Sequence, residues 1–286
     1  MPKIAISLLA GAALVSACSQ SEPASGNEAA ANAAVPARQA LSLTHLDCGT
    51  ATIKDFDAFF SDKPGLYSKG PRDVSDGCYL IRHGDQALLW DTAFPGDLAG
   101  GSQDMGPLVA RLDKTVVQQL EQLGVKPADI DIVGISHMHS DHTGQAADFP
   151  NARLLIGKAD FEEIKGEEDP FGPWRKDGAN VTAATADVDV FGDGSVVALY
   201  LPGHTPGHLG LLVKLASGPV LLTGDLYHSR EAREKRGVPP FNTSREQTLQ
   251  SMDKFEKLAK ETGAKVIIQH EPRDIRLLPA FPESAK

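Results

Sequence analysis

Cysteine is scarce in this chain, and basic residues are outnumbered by acidic ones. Only three cysteines occur in 286 residues, and 28 Lys and Arg stand against 38 Asp and Glu, a formal charge of −10. A negative surface repels phosphate backbones, so we expect no nucleic-acid partner. With 41% apolar residues the chain can still bury a full core, and we expect one main domain.

Apolar runs long enough to cross a membrane are also missing. The run Ile4–Val15 follows Lys3 and is shorter than the roughly 20 residues of a spanning helix, which is typical of a secretory signal peptide. The segment "VSAC" resembles a bacterial lipoprotein lipobox, which implies Cys18 as the lipidated first mature residue after a signal peptide over 1–17. The alternative is an ordinary signal peptide cut after Ala17. Both predict an exported, periplasmic protein whose membrane contact is an N-terminal lipid anchor at most.

Residues 19–40 contain no aromatic residue and almost nothing large and apolar. Such a segment cannot offset its ordering entropy by burial, so we expect a disordered linker there and a folded catalytic body over 41–286. Within that body Cys48 and Cys78 lie in apolar, strand-like stretches, where buried free cysteine is common. This favours free thiols, although an oxidising compartment would also allow a disulfide.

From residue 41 the chain alternates short apolar runs with helical periods, the pattern of an α/β fold. We expect an antiparallel hairpin turning at 83–85 and a helix over 115–123 that ends at Gly124. A second helix should begin at a capping box of Ser244 and Gln247 and end at Gly263. Four further strands lead to polar residues, and these are the strand before the "HMHSDH" segment and the strands ending at His204, Asp225 and His270.

The segment 137–142 crowds three histidines and an aspartate directly behind a predicted strand. Alternate residues of an extended loop share a face, so His137 and His139 can bind one ion, while the following turn presents Asp141 and His142 elsewhere. Two ions are therefore indicated.

The other strand ends complete both ligand sets. His204 supplies a third imidazole to the first ion, His270 joins Asp141 and His142 at the second, and Asp225 can bridge the two. Each ion keeps room for water, as catalytic sites require, and imidazoles with carboxylates suit zinc, although iron, cobalt or manganese would also fit. Ordinary structural roles are expected for His45, His83 and His208.

These motifs, together with "LPGHTPGH" and "LLTGD", resemble the metallo-β-lactamase superfamily over about residues 41–275. The resemblance implies an αββα sandwich of two mixed sheets flanked by helices, with a dinuclear metal site at one edge. It also implies that Asp91 orients the histidine loop from behind the ligands. The family usually has glycine two residues after this aspartate, where Ala93 stands here.

The superfamily contains several kinds of hydrolase, and the fold alone does not choose among them. His139 argues against the oxygen- and NO-reducing members, which carry glutamate in that slot, and Asp225 argues against true β-lactamases, which carry Cys or Ser there. Only 16 residues follow His270, which argues against a glyoxalase II-like substrate domain. What remains resembles the N-acyl-homoserine lactone lactonases, which quench quorum sensing and are often dimers.

The implied reaction is attack of a metal-bound hydroxide on the carbonyl of a small lactone. Asp141 and Asp225 would be metal ligands, and Asp225 would also transfer the proton. Such lactonases usually place a tyrosine three residues after the bridging aspartate. Here that slot holds His228, and Tyr227 lies one position earlier, so either is a candidate donor. The alternatives are a β-lactamase, an arylesterase, a phosphoester hydrolase, or a metal-binding protein without catalysis.

An acyl chain would need an apolar groove. The candidates for its walls are Phe59, Phe60, Leu66, Phe94, Met138, Phe171 and Trp174. For any one of them, ordinary packing is the better explanation.

Overall fold

The structure, a computed structural model, describes residues 40–166 and 169–286. The expected signal peptide over 1–17, the lipid-bearing Cys18, and all but the last residue of the expected linker over 19–40 lie outside the described residues. Within the described part, no helix combines the length and the apolar character needed to cross a bilayer.

The strands of the described residues are β1 (Leu41–Ile53), β2 (Arg72–His83), β3 (Gln86–Trp90), β4 (Gly101–Asp104), β5 (Leu108–Leu112), β6 (Ile132–Gly134), β7 (Arg153–Gly157), β8 (Val181–Ala184), β9 (Val188–Asp189), β10 (Val196–Tyr200), β11 (Leu209–Leu215), β12 (Gly218–Leu222) and β13 (Lys265–Ile267). The helices are α1 (Phe56–Phe60), α2 (Val116–Gln122), α3 (Ser140–Thr143), α4 (Lys158–Glu163), α5 (Arg230–Lys235), α6 (Arg245–Thr262) and α7 (Pro272–Ile275).

The strands form two sheets, an eight-stranded one in the order β4-β5-β1-β2-β3-β6-β7-β8 and a five-stranded one in the order β13-β12-β11-β10-β9. Both are mixed: β3, β6, β7 and β8 pair in parallel, as do β12 and β13, while the other pairings are antiparallel. Side chains from β2 and β3 pack against side chains from β11 and β12 in a core between the sheets. The αββα sandwich is thereby confirmed.

Helices cover the outer faces of both sheets. Val116 and Leu120 of α2 join the core outside the larger sheet, and Met252 and Phe255 of α6 join the core outside the smaller one. Helix α6 begins where its sequence predicts, with the Ser244 hydroxyl accepting from the Gln247 amide, and ends at Gly263 in the left-handed conformation. The hairpin over β2 and β3 and the helix over 115–123 are confirmed as well.

The two body cysteines form a disulfide, so the expectation of free thiols is wrong. Their stretches are adjacent antiparallel strands, and a bulge in β1 between Asp47 and Gly49 leaves Cys48 beside Cys78 with their Cα atoms 5.6 Å apart. That separation lies within the range that a disulfide bridges. The sequence shows two apolar strands but not their register.

Parallel pairing places the site residues on one edge. Strands β3 and β6 are parallel, and so are β12 and β13. The carboxyl ends of the two strands in each pair therefore lie at the same edge of their sheet. The Leu209 amide donates to the Ser136 carbonyl across the sandwich and ties the two edges together. The polar segments that follow these strands therefore meet at one rim.

Candidate active site

Three imidazoles converge between the two sheets. The segment after β6 carries His137 and His139, and the segment after β10 carries His204. His137 Nε2 lies 2.9 Å from His139 Nδ1, and His204 Nε2 lies 3.2 Å and 3.1 Å from those two atoms. The structure thus brings together the three residues that the spacing assigned to a first ion.

This triangle of nitrogens fits a shared cation. Each neutral ring nitrogen offers either one proton or one lone pair, so hydrogen bonds alone cannot satisfy all three contacts. A tetrahedral cation with Zn–N bonds of about 2.0–2.1 Å would hold its nitrogen ligands about 3.3 Å apart. The observed separations lie within a few tenths of an ångström of that spacing.

A second group of donors stands beside the first. Asp141 Oδ2 lies 3.6 Å from His142 Nε2 and 3.9 Å from His270 Nε2. His142 and His270 are buried, whereas the Asp141 side chain is one quarter exposed. These are the three residues that the sequence assigned to a second ion.

Asp225 stands between the two groups and turns one oxygen toward each. Its Oδ2 lies 3.3 Å from His204 Nε2 and 3.6 Å from His137 Nε2, whereas its Oδ1 lies 3.3 Å from His142 Nε2 and 3.0 Å from His270 Nε2. Asp225 Oδ1 and His142 Nε2 are buried, yet neither has a partner in hydrogen-bond geometry among the described residues. A bridging carboxylate between two cations would have this placement.

Ring nitrogens that face away from the centre donate to fixed acceptors, which sets the orientation of each imidazole. The pairs are His142 Nδ1 with Asp91 Oδ2 at 3.0 Å, His204 Nδ1 with Asn242 Oδ1 at 2.9 Å, and His270 Nδ1 with the Ser75 carbonyl at 2.8 Å. Such hydrogen bonds fix the tautomer that leaves the inner nitrogen free to bind a cation.

Asp91 occupies the place that the family resemblance implied. Besides His142, its carboxylate accepts from the Ser136 amide at 2.6 Å and from Gln269 Nε2 at 2.8 Å, and the side chain is completely buried. The following turn runs through Ala93 with φ at +63°, in the left-handed region that favours glycine. Glycine adopts this backbone conformation without steric cost, which explains why the family usually has glycine at this position.

His208 positions Asp225 without facing either donor group. Its Nδ1 donates to the Leu201 carbonyl at 3.0 Å, and its Nε2 accepts from the Asp225 amide at 2.9 Å. Burial lowers the pKa of His208 to about 3, so the ring is neutral and can fill both roles. Gly224 is required beside it, since a Cβ there would lie 2.6 Å from His208 Nε2 and its φ is +52°.

The two donor groups differ in charge. Burial lowers the pKa of His137 well below its usual range and that of His139 to about 4, so both are neutral, the form that binds metal. For His270, burial lowers the pKa, but the carboxylates of Asp225, Asp76 and Asp141 together outweigh burial and raise the pKa to about 9. For His142 the carboxylates of Asp225, Asp141 and Asp91 do the same, and its pKa stands well above the usual range.

Four of the seven donors, His139, Asp141, Asp225 and His270, line a cavity of about 420 Å³ with largely apolar walls. The residues that line it are Ala51, Ile53, Phe59, Phe60, Val74, Ser75, Asp76, Phe94, Met105, Leu108, His139, Ser140, Asp141, Asp225, His228, Phe241 and His270. Three of the seven groove candidates, Phe59, Phe60 and Phe94, are among them. Phe171 and Trp174 instead pack in the core of the larger sheet, where the Trp174 indole donates to the Ala152 carbonyl.

The structure separates the two candidate donors. His228 lines the cavity, its ring packs against Phe60 with the centroids 4.3 Å apart, and its Nε2 lies 3.0 Å from Asp225 Oδ2. Tyr227 points the other way, since its hydroxyl donates to Glu256 of α6 at 3.0 Å and its ring packs in the outer core of the smaller sheet. Of the two, only His228 is within reach of a molecule in the cavity.

Three residues near the donors were missed by the sequence analysis. Asp160 accepts from the Met138 and Gly207 amides and so ties the two histidine segments together. Asp76 places a carboxylate in the cavity wall, and Phe241 stands half exposed at its rim. None of the three follows a predicted strand or occurs in a metal-ligand spacing, so no sequence signal marks them.

A sandwich of two mixed sheets with histidines and aspartates gathered at one edge defines a class of proteins. The chain belongs to the metallo-beta-lactamase superfamily, whose sequence pattern matches residues 77–270.

Within that superfamily, several proteins similar to this chain are N-acyl homoserine lactonases. The lactonase AttM of Azorhizobium caulinodans is 38% identical over 185 residues, covering 60% of this chain and 70% of AttM. A solved structure of Bacillus thuringiensis AiiA with N-decanoyl-L-homoserine at its active site has a TM-score of 0.74 at 22% identity, over 87% of this chain and 100% of AiiA. AidC, a dizinc quorum-quenching lactonase, has a TM-score of 0.64 at 17% identity, over 87% of this chain and 90% of AidC.

Proposed function

We propose that this protein opens the lactone ring of N-acyl homoserine lactones by hydrolysis and thereby quenches quorum-sensing signals. The observation that carries the proposal is Asp225, which turns one oxygen to each of two donor groups at the floor of an apolar cavity. The relatives named above support the substrate class.

The cavity suits a neutral, amphiphilic substrate. Its lining contains the carboxylates of Asp76, Asp141 and Asp225 but neither Lys nor Arg among the described residues. A phosphodiester or the carboxylate of a β-lactam would find no cationic side chain there, whereas an uncharged lactone with an acyl chain needs none. A lactone with an acyl chain is therefore compatible with this lining, and the relatives named above favour it over the phosphoester and β-lactam alternatives.

Two divalent cations would be held by the seven converging side chains. His137, His139 and His204 would bind one and Asp141, His142 and His270 the other, with Asp225 shared between them. When bound, such cations acidify a water toward a pKa of about 7 and polarise the ester carbonyl, which supplies a nucleophile at neutral pH. Imidazole donors favour zinc, and the dizinc relative supports that choice.

Asp225 and His228 would contribute to the proton-transfer and hydrogen-bonding steps of the reaction. Asp225 is placed to accept the proton of the attacking water and return it to the ring oxygen as the C–O bond breaks. His228, 3.0 Å from Asp225, is placed to donate to the substrate carbonyl or to Asp225 itself. We assign Tyr227 a packing role, because its hydroxyl is engaged by Glu256 outside the cavity.

We also propose that the protein is exported and held at the periplasmic membrane surface through a lipid on Cys18. The lipobox-like segment before Cys18 motivates this, and the Cys48–Cys78 disulfide is consistent with an oxidising compartment. Radioactive palmitate should label the parent chain and not a Cys18→Ala variant. Label on both chains would contradict the anchor.

The activity is tested with a substrate panel. Purified protein is assayed against N-acyl homoserine lactones of several chain lengths, a chromogenic cephalosporin and an aryl phosphodiester, before and after chelation and after zinc is restored. We expect lactone opening that is lost on chelation and regained with zinc. Fast turnover of the cephalosporin or phosphodiester with inert lactones would refute the proposed substrate.

A further inference from the structure

A buried carboxylate that the assignments above leave unused lies beside the second donor group. Asp76 of β2 is 2% exposed and lines the active-site cavity. Neither of its oxygens has a hydrogen-bond partner within residues 40–166 and 169–286.

An unpaired buried carboxylate is costly. Buried charges in proteins are normally paired or bound to a metal, because transfer from water removes the hydration of the charge. Two other buried aspartates close to this centre have closer neighbours. Asp91 accepts three hydrogen bonds, and Asp225 has His228 Nε2 3.0 Å from its Oδ2 and further ring nitrogens within 3.3 Å of both oxygens, although its Oδ1 is in hydrogen-bond geometry with none of them. Asp76 has no such close neighbour, and a nearby cation would stabilise its negative charge.

That position is beside two of the expected metal ligands. One oxygen of Asp76 and one ring nitrogen each of His142 and His270 all lie within 4.8 Å of one another. The backbone fixes this arrangement from both sides of Asp76, since the Ser75 carbonyl accepts from His270 Nδ1 and the Gly77 carbonyl accepts from Gln269 Nε2. The segment carrying Asp76 is therefore held against the segment carrying His270.

The strand opposite leaves room for the carboxylate. Asp76 pairs with Gly49 of β1, and cross-strand partners share a face of the sheet. A Cβ at Gly49 would lie 2.6 Å from the Arg111 carbonyl and 2.9 Å from Phe94, and the φ of Gly49 is +119°. A glycine is needed there, so no side chain covers Asp76 from that position.

Charge balance gives Asp76 a further reason to face a cation. Two divalent cations would bring four positive charges to this site. Imidazoles that bind a cation give up their extra proton and are neutral, so Asp141 and Asp225 would bring only two negative charges. A third carboxylate lowers the excess charge in a place where water is largely excluded.

We propose that Asp76 is an additional carboxylate ligand of the cation held by Asp141, His142 and His270. This inference rests on the proposed dinuclear centre and goes beyond the seven ligands assigned to it. It implies that the second cation is bound by three carboxylates, one of them shared with the first cation.

The test is the isosteric variant Asp76→Asn, which keeps the shape and removes the charge. Metal-free protein is titrated with zinc against a chromophoric chelator, and the zinc per chain is measured by elemental analysis. We expect one of the two equivalents to bind at least roughly tenfold more weakly than in the parent while the other is unchanged. Asp73→Asn is the matched control, since Asp73 lies on the same strand but is exposed and bonded to Thr52.

A second measurement separates loss of a ligand from loss of fold. Without metal, Asp76→Asn should melt at or above the temperature of the parent, because the amide keeps the shape of a buried carboxyl group that has no hydrogen-bond partner among the described residues. With zinc, its gain in melting temperature should be smaller than that of the parent. Asp76→Ala gives the same comparison should the amide disturb the strand.

Three results would overturn the inference. The first is two equivalents of zinc bound to Asp76→Asn with parental affinity, which would make Asp76 a neutral buried acid. The second is parental zinc affinity with reduced lactone turnover, which would make it a substrate contact. The third is a parent chain that binds no zinc. Since zinc affinity is measured without substrate, a parent that binds two zinc ions but opens no lactone would refute the proposed activity and leave this inference standing.

Discussion

Asp91 offers the sharpest test of how the protein prepares its metal ligands. Its carboxylate accepts from Ser136, His142 and Gln269, and all three contacts are completely buried. In Asp91→Asn one oxygen becomes an NH₂ group. Keeping the Ser136 contact would direct that NH₂ at the His142 ring N–H and the Gln269 amide, so donors would face donors.

The expected effect follows from that conflict. A buried hydrogen bond to a charged group contributes about 1.5–3 kcal/mol, and losing a partner behind a ligating histidine weakens metal binding by about 10–100-fold, or about 1.4–2.8 kcal/mol. The two estimates agree. We therefore expect Asp91→Asn to bind the cation at His142 about 10–100-fold more weakly and to affect the triangle of His137, His139 and His204 less.

Chelator competition on metal-free protein measures both affinities. Asp57→Asn is the matched control, because Asp57 is also buried but accepts only from the Gly65 and Tyr67 amides, away from the donor groups. That control should lower the free energy of unfolding and leave metal affinity unchanged. If Asp91→Asn binds both cations like the parent, or if the two variants behave alike, the orienting role of Asp91 is refuted.

Three further predictions concern the disulfide, the partly buried His45 and the cavity donor. Cys48→Ser should lower the free energy of unfolding in urea by about 3–4 kcal/mol, since the disulfide with Cys78 spans 30 residues; an unchanged midpoint would contradict it. Burial lowers the pKa of His45 from 6.5 to about 4, so below about pH 6.5 the unfolded chain takes up the proton first and stability falls between about pH 6.5 and pH 4. From pH 7 to pH 5 the parent should lose about 1–2 kcal/mol more than His45→Gln, and equal losses would show that His45 is not the cause. His228→Ala should lower lactone turnover by roughly a hundredfold with two metals still bound, while Tyr227→Phe leaves turnover unchanged; the reverse order would assign the donor to Tyr227.

Much of the fold could be predicted because its signals are local. The hairpin after Cys78, helix α2 and helix α6 follow from turn residues, capping residues and apolar periodicity, all within a few positions of one another. The donor groups could be predicted because each ligand follows a strand, and parallel strands carry their ends to one edge.

What could not be predicted depends on contacts between distant segments. Asp76 lies in the middle of a strand and meets His270 only after folding, at a separation of nearly two hundred residues. The disulfide needs the β1 bulge to bring Cys48 beside Cys78. The same holds for Trp174, whose indole donates to the carbonyl of Ala152, 22 residues earlier in the chain.

The central claim is that two cations, held by side chains that follow four strand ends, activate a water for lactone opening. Its most direct test is a titration of metal-free protein with zinc, following bound metal and hydrolysis of a long-chain N-acyl homoserine lactone in the same samples. We expect activity to rise with occupancy and to level off at two equivalents per chain. Full activity in metal-free protein, or saturation with zinc and no lactone hydrolysis, would contradict the account.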